Sequence, residues 1–127
     1  MSDQLIHFNS EKVPEIPSLS HAVQVGNLLF VSGQVGIPPG KKAAPTDPVE
    51  EINNVLNSLE AVLEAAGTSG KSVIRTTCYL SQLEYVELFN EIYNERFQQP
   101  RPARTTVQAQ LIGGLRFEID AVALMEE

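Results

Sequence analysis

The alternation of apolar and polar positions predicts a pair of strands near the N-terminus. Residues 22–25 and 28–32 are predominantly apolar and flank the dipeptide Gly26-Asn27. That dipeptide tolerates positive backbone angles, so it predicts a two-residue turn between antiparallel strands. The short apolar segment 5–8 precedes a passage marked by prolines, which predicts an edge strand followed by a loop.

Two longer segments carry apolar residues at helical spacing. The first starts at Asp47, a favourable N-cap, and ends at Gly67. Its apolar positions form one continuous stripe, which predicts a helix that faces the core. The second segment covers residues 81–97, and Ser81 and Glu84 have the spacing of a capping box at its start.

Three further segments alternate with the period of two that is typical of strands: residues 72–80, 104–111 and 115–124. The predicted order is therefore strand, strand, strand, helix, strand, helix, strand, strand. Helical crossovers combined with hairpins favour an α+β fold, with one mixed sheet and both helices packed on one face. Since the strands supply apolar groups to both sides of the sheet, we expect self-association through the uncovered face.

Length and composition predict one globular domain, residues 1–127. Of the 127 residues, 43% are hydrophobic and 20% are charged. The formal net charge is −7 and the basic residues are scattered, which argues against a nucleic-acid partner. No stretch approaches the ~20 apolar residues of a spanning helix, so we expect no membrane partner. The expected location is cytoplasmic, with an organelle matrix as the alternative.

The sequence gives little support for a metal site. Cys78 is the only cysteine, which leaves no intrachain disulfide and no cysteine cluster for zinc. Its place on the apolar side of a predicted strand favours a buried packing role over a nucleophile. His7 and His21 are 14 residues apart without acidic neighbours, so we predict no metal ligands.

The residues most suggestive of a functional site are Arg104 and Glu118. Arg104 follows two prolines at the start of a strand, and its planar fork of donors matches the two oxygens of a carboxylate. A structural ion pair is the alternative role for this arginine. Glu118 interrupts a mostly apolar strand face, where a carboxylate needs a partner or a task. Ser32-Gly33 ends a strand and fits either a backbone contact with a ligand or a simple bulge.

The distance between these two charged residues raises a question about the site. In a simple hairpin of the last two strands, Arg104 would pair near Leu124 and Glu118 near Gln110. The charged residues would then lie roughly 20 Å apart, too far for one small ligand. Either the strands pair differently or a neighbouring subunit completes the site.

Six short motifs along the chain carry a family resemblance. They are Ser20-His21-Ala22-Val23, Ser32-Gly33-Gln34, Ala65-Ala66-Gly67, Asn90-Glu91-Ile92-Tyr93, Pro102-Ala103-Arg104-Thr105-Thr106-Val107 and Phe117-Glu118-Ile119-Asp120-Ala121. Together they resemble the reactive intermediate deaminase family, also called YjgF/YER057c/UK114 or RidA-like. The motifs that contain Arg104 and Glu118 are the specific ones, and the resemblance runs from residue 17 to residue 124.

This resemblance implies an α+β subunit of the bacillary chorismate-mutase type that assembles as a homotrimer, with ligand clefts between subunits. Members of the family hydrolyse enamines and imines such as 2-aminoacrylate and 2-iminobutanoate to 2-keto acids and ammonia, without a metal or organic cofactor. By matching positions, Arg104 is expected to bind the substrate carboxylate. Glu118 is expected to position the attacking water and to shuttle a proton.

The resemblance also implies a set of substrate-binding residues. Ser32 and Gly33 are expected to line the cleft, Asn90 to order its wall, and Thr106 to contribute mainly through its backbone. Leu19 stands where family deaminases usually carry a tyrosine, and Thr106 stands where many carry a cysteine. The lost phenol at Leu19 implies weaker activity or a bulkier, more apolar substrate.

Several functions are compatible with this resemblance. The leading one is a hydrolase similar to 2-iminobutanoate/2-iminopropanoate deaminase. The alternatives are a specialised deaminase of the aminomuconate or aminoacrylate type and a non-catalytic, carboxylate-binding regulatory trimer. RNA cleavage with inhibition of translation is attached to the family by name, but the net charge of −7 argues against it.

Overall fold

The computed structural model describes residues 4–125, which form a six-stranded sheet and two α-helices. Single 3-10 turns at Gly70–Ser72, Leu83–Tyr85 and Ile112–Gly114 join some of these elements. The predicted order of strands and helices is confirmed. In chain order, the elements are β1 (Leu5–Phe8), β2 (Ala22–Val25), β3 (Leu28–Val35), α1 (Pro48–Ala66), β4 (Val73–Leu80), α2 (Val86–Arg96), β5 (Ala103–Gln108) and β6 (Phe117–Leu124).

The sheet is mixed, with the strand order β1-β2-β3-β6-β4-β5. Adjacent strands are antiparallel except β4 and β5, which run parallel because α2 connects them as a crossover. The hairpin assumed for the last two strands is therefore wrong, since β4 lies between them. Arg104 is paired with Thr76 of β4, and Glu118 lies between Val35 of β3 and Tyr79 of β4.

Local signals place the β2–β3 hairpin and the first helix where the sequence predicts them. Gly26 has a φ of 58° in the hairpin turn, a left-handed conformation that glycine adopts without steric cost. The Asp47 carboxylate accepts the backbone N–H of Val49 at 3.1 Å and caps α1. Gly67 follows the last helical residue with a φ of 90°, which ends the helix.

The start of the second helix differs from the prediction. Ser81 does not cap it: the chain forms a 3-10 turn at Leu83–Tyr85, and α2 begins only at Val86. The backbone N–H of Ser81 instead donates to the carbonyl of Arg116 at 2.9 Å. This bond continues the pairing of β4 with the β6 side of the sheet, and Gln82 is still extended, with φ −142° and ψ 141°, so the helical conformation begins only after Gln82.

Both helices cover the same face of the sheet and bury the core there. Phe117 and Ile119 of β6 are fully buried, and the Phe117 ring stacks 5.9 Å from the ring of Phe89 in α2. Burial of each such side chain contributes about 1.5–3 kcal/mol. The core therefore fixes α2 over β6 and β4, which determines where the residues of α2 lie relative to β5.

Neither helix covers the opposite face of the sheet, which we call the uncovered face. Four of its apolar side chains, Leu5, Phe30, Val107 and Leu124, are between 41% and 54% exposed. Self-association through this face stays a prediction. Within residues 4–125, no helix has both the length and the apolar character needed to cross a membrane.

Candidate functional site

A β-bulge in β3 shapes one part of the candidate site. The register between β3 and β6 shifts between Val31 and Gln34, so Ser32 and Gly33 together oppose one residue of β6. The Ser32 hydroxyl donates to the carbonyl of Ser20 at 2.6 Å, which ties the bulge to the preceding loop. Of the two roles considered for this segment, the structure shows the bulge, a device that often redirects side chains next to sites.

The bulge leaves room for the side chain of Glu118. Glu118 pairs with Val35 on the uncovered face, and a Cβ on Gly33 would lie 3.0 Å from Glu118 Cδ. The close approach at Gly33 is therefore made by the protein's own carboxylate. Within residues 4–125, the Glu118 carboxylate forms no hydrogen bond or ion pair.

The environment of Glu118 changes its acidity. Burial raises the pKa of its carboxyl, and the negative charge of Asp120 raises it further. A carboxyl with a raised pKa exchanges protons closer to neutral pH, which is the property of a general acid or base. The electrostatics of Glu118 therefore fit the role that the sequence predicts for it.

Tyr79 is a neighbour of Glu118 that the sequence analysis did not single out. It lies opposite Glu118 in the pairing of β4 with β6, and its hydroxyl donates to Asp120 Oδ2 at 2.8 Å. The hydrogen bond to Asp120 raises the pKa of Tyr79, and burial adds to the effect. Asp120 thus has a partner and Glu118 does not, a difference that only the register between the two strands reveals.

Arg104 lies on the helix-covered face, beneath α2. Its guanidinium carbon is 4.4 Å from the centre of the Tyr93 ring and 5.3 Å from that of Phe89. Its Nε donates to Thr106 Oγ1 at 2.9 Å. No carboxylate within residues 4–125 pairs with Arg104, so aromatic rings and a hydroxyl hold it in place of the structural ion pair considered above. Sequence reasoning gave neither ring a role at the site.

Asn90, next to Phe89 on α2, carries a buried oxygen without a partner. No hydrogen bond from residues 4–125 reaches its Oδ1. An unpaired buried acceptor costs roughly 1–3 kcal/mol, so it normally indicates a donor still to be bound. Because Asn90 lies three residues before Tyr93, the two side chains share one side of the helix. Asn90 therefore lies on the side of α2 that carries Tyr93, the ring next to the guanidinium of Arg104.

Leu19 lies at the same end of the sheet as the bulge. It is 39% exposed, and it directly precedes Ser20, whose carbonyl accepts the hydroxyl of Ser32. The backbone N–H of Leu19 donates to the carbonyl of Ile16 at 3.2 Å, which closes a turn. The backbone of Leu19 is thus adjacent in the chain to the residue that ties down the Ser32-Gly33 bulge.

The predicted site residues form two groups on opposite faces of the sheet. Arg104 is level with Thr76 of β4 and Ala121 of β6, so Glu118 is three residues along and two strands across, roughly 14 Å away. Arg104 faces α2, whereas Glu118 faces the uncovered side. One group, the Arg104 half-site, consists of Arg104, Thr106 and Asn90; the other, the Glu118 half-site, consists of Glu118, Ser32, Gly33 and Leu19.

Other chemistry-bearing residues have structural roles. Nδ1 of the buried His21 accepts the backbone N–H of Ser10 at 3.0 Å, and Cys78 is fully buried, as predicted. No group of three or more His, Cys, Asp and Glu side chains in the described part of the chain is placed to hold a metal ion. A surface groove of about 630 Å³ between α1 and residues 96–102 includes none of the predicted site residues.

Comparisons with known proteins identify the family. A sequence model described as Endoribonuclease L-PSP matches residues 10–125. The chain is 40% identical over 107 residues to the 2-iminobutanoate/2-iminopropanoate deaminase of Mus musculus, covering 83% of this chain and 79% of the mouse protein. RidA from an Antarctic Psychrobacter is 29% identical, with a TM-score of 0.90 over 94% of this chain and 99% of that one. TdcF of E. coli, crystallised with bound serine, is 27% identical, with a TM-score of 0.87 over 95% of this chain and 99% of that one. The chain therefore belongs to the endoribonuclease L-PSP family, which is the YjgF/RidA family that its motifs indicate.

Proposed function

We propose that the protein is a cofactor-free hydrolase that converts enamine and imine intermediates, of the 2-aminoacrylate and 2-iminobutanoate type, into 2-keto acids and ammonia. Three animal relatives carry the name 2-iminobutanoate/2-iminopropanoate deaminase. The serine bound to TdcF shares its carboxylate with such substrates. The observation that carries the proposal is Arg104, a fixed guanidinium that pairs with no carboxylate of residues 4–125.

The two charged residues have complementary tasks in this reaction. Arg104 binds the substrate carboxylate and thereby fixes the position of the adjacent C=N bond. An enamine first takes a proton on its carbon and becomes the imine. Water then adds to the imine carbon while Glu118 passes one of the water's protons to the nitrogen, which gives a carbinolamine. Glu118 next passes the proton of the new hydroxyl to the nitrogen as the C–N bond breaks and the C=O bond forms, and the products are the keto acid and ammonia. An imine next to a carboxylate is already electrophilic, so proton transfer worth ~10²–10⁴ in rate is sufficient.

We propose further that the site forms between the subunits of a homotrimer. Within one chain the Arg104 half-site and the Glu118 half-site face opposite directions. A neighbouring subunit that packs against the uncovered face would bring its Arg104 half-site to the Glu118 half-site of the first. The exposed apolar side chains of this face supply the contact area that such an association needs.

The activity is tested by making 2-iminobutanoate in situ from threonine with a threonine dehydratase. We expect the protein to accelerate loss of the imine and Arg104→Ala to abolish the acceleration. Unchanged activity of a folded Arg104→Ala protein would contradict the role of Arg104. Light scattering tests the trimer, and a strict monomer with full activity would contradict the shared site.

A mixing experiment tests whether the two half-sites belong to different subunits. Arg104→Ala and Glu118→Gln chains are refolded separately and then together in equal amounts. If each site takes Arg104 from one subunit and Glu118 from another, one site in each mixed trimer, or about a quarter of all sites after random assembly, contains both residues and regains activity. No recovery in trimers that are shown to be mixed would place both residues in one subunit.

Leu19, which stands where family deaminases usually carry a tyrosine, is compatible with a second function. Its exposed apolar side chain borders the Glu118 half-site, so this part of the proposed cleft offers no side-chain hydroxyl at position 19. A regulatory trimer that binds keto acids without turnover, or a deaminase for a more apolar substrate, would follow from that difference. Keto-acid binding without loss of any imine supports the first, and turnover restricted to bulkier imines supports the second.

A further inference from the structure

The guanidinium of Arg104 is held at two points by side chains that the proposed reaction does not use. Its Nε donates to Thr106 Oγ1 at 2.9 Å, two residues along the same strand. Its central carbon lies 4.4 Å from the centre of the Tyr93 ring. The side-chain hydroxyl of Thr106 thus holds the guanidinium of Arg104. This contact is in addition to the backbone contribution to substrate binding that is expected for Thr106.

The ring beneath Arg104 is itself fixed. Tyr93 is only 2% exposed, and its hydroxyl is 2.7 Å from Thr76 Oγ1. Thr76 is the residue paired with Arg104 on the neighbouring strand. Each of the three residues Thr76, Tyr93 and Arg104 therefore contacts the other two. The rings of Phe89 and Phe97 pack on Tyr93 at 5.9 Å and 4.6 Å. This support leaves the guanidinium little freedom to rotate.

An arginine presents a carboxylate with either of two donor pairs, Nε with one terminal nitrogen or the two terminal nitrogens together. Thr106 occupies Nε, the buried Cys78 thiol also neighbours the guanidinium, and within residues 4–125 no oxygen accepts from the terminal nitrogens of Arg104. We propose that Thr106 and Tyr93 are positioning residues that present the Nη1–Nη2 edge of Arg104, so that the substrate carboxylate binds end-on. The inference rests on the proposed function for the identity of the carboxylate.

Thr106→Val and Thr106→Ser form a matched pair for the test. Valine keeps the shape of threonine but accepts no hydrogen bond, whereas serine keeps the acceptor. We measure the Kd of 2-oxobutanoate by calorimetry, kcat and KM for the imine, and the NMR signal of the Arg104 Nε–H. Loss of one such hydrogen bond is expected to raise Kd and KM about five- to tenfold in Thr106→Val, with kcat nearly unchanged. The Nε–H signal should shift and exchange faster with water, and Thr106→Ser should restore both properties.

Tyr93 is tested in the same assays. Tyr93→Leu removes the ring under Arg104 and should bind 2-oxobutanoate less tightly than the wild type. If Tyr93→Leu does not fold, the Thr106 pair decides the question. An unchanged Kd and Nε–H signal in folded Thr106→Val would overturn the inference while leaving the proposed function intact. The predicted pattern of binding in a protein that hydrolyses no imine would support the inference and overturn the proposed function.

Discussion

Replacement of Gly33 by alanine tests whether the position of the Glu118 carboxylate matters for activity. The new Cβ would overlap Glu118 Oε2 and lie 3.0 Å from Glu118 Cδ. Atoms in contact are about 3.5–4.0 Å apart, so the carboxyl group has to move by about 1 Å or more. A displacement of that size in a reacting group costs about 10² in rate. We therefore expect kcat for imine hydrolysis to fall by about two orders of magnitude.

The stability of the Gly33→Ala protein should change little. Gly33 is not among the glycines with positive φ, so alanine fits its backbone, and the reduced entropy of the unfolded chain stabilises by about 0.4–1 kcal/mol. The atoms in the way belong to Glu118, a flexible side chain that has no hydrogen bond to lose. Its displacement toward solvent also relieves part of its desolvation. We expect a free energy of unfolding within about 1 kcal/mol of the wild type.

Gly36→Ala is the matched control. A Cβ on Gly36 would lie 2.6 Å from the backbone oxygen of Glu51 in α1, which cannot move aside as a side chain can. Such overpacking lowers the free energy of unfolding by about 1–3 kcal/mol. Urea unfolding and the imine assay are run on both variants. A folded Gly33→Ala trimer with wild-type kcat would refute the argument that Glu118 acts from this position.

Four further predictions concern three ionisable residues. Since Glu118 must be ionised to accept a proton and its pKa is raised above the ordinary 4.5, the acid limb of the kcat/KM profile should lie above that value, and Glu118→Gln should abolish it. Because the pKa of Glu118 is raised in the folded chain, ionisation of this carboxyl lowers the free energy of unfolding. At neutral pH, Glu118→Gln should therefore unfold at a higher urea concentration than the wild type, and this difference should disappear in acid, where Glu118 is protonated. Glu51→Gln should lower the free energy of unfolding by about 3 kcal/mol, since its buried carboxylate accepts from Arg116 Nε at 2.6 Å. Cys78, buried and with a pKa raised by burial, should react with a thiol reagent only in urea.

The parts of the fold that the sequence predicts well are specified locally. Gly26 in the hairpin turn and Gly67 at the end of α1 adopt positive φ, which few residue types other than glycine do, and Asp47 supplies the side-chain acceptor that caps the start of α1. The capping box at Ser81 fails although its spacing is correct. The backbone of Ser81 is paired with the chain next to β6, and a contact so distant in sequence leaves no trace in the four residues of the motif.

The site depends on how the strands pair, and the sequence does not predict this pairing. Alternation indicates which residues of one strand share a face, but it does not indicate the neighbouring strand or the register. The pairing of β5 with β4 places Arg104 beside Thr76, and the pairing of β4 with β6 places Tyr79 beside Glu118. Tyr79 and Tyr93 were missed for this reason, since Tyr79 is far in sequence from Glu118 and Tyr93 is far from Arg104. The sequence pattern shows Tyr79 only as a residue of a strand and Tyr93 only as an apolar residue of a helix.

The separation of Arg104 from Glu118 follows from the same strand pairing. This separation bears on function because one chain then carries the two charged residues on opposite faces of its sheet. Arg104 shares its face with Thr76, which is buried beneath α2, whereas Glu118 shares its face with Tyr79 on the uncovered side. A change of rotamer cannot bring side chains from opposite faces of one sheet to the same small molecule, because the sheet itself lies between them. Folding of one chain therefore completes each half-site but not the proposed site. Under the proposed function, dissociation of the trimer should abolish imine hydrolysis while Arg104 stays stacked on Tyr93 and Glu118 stays over Gly33.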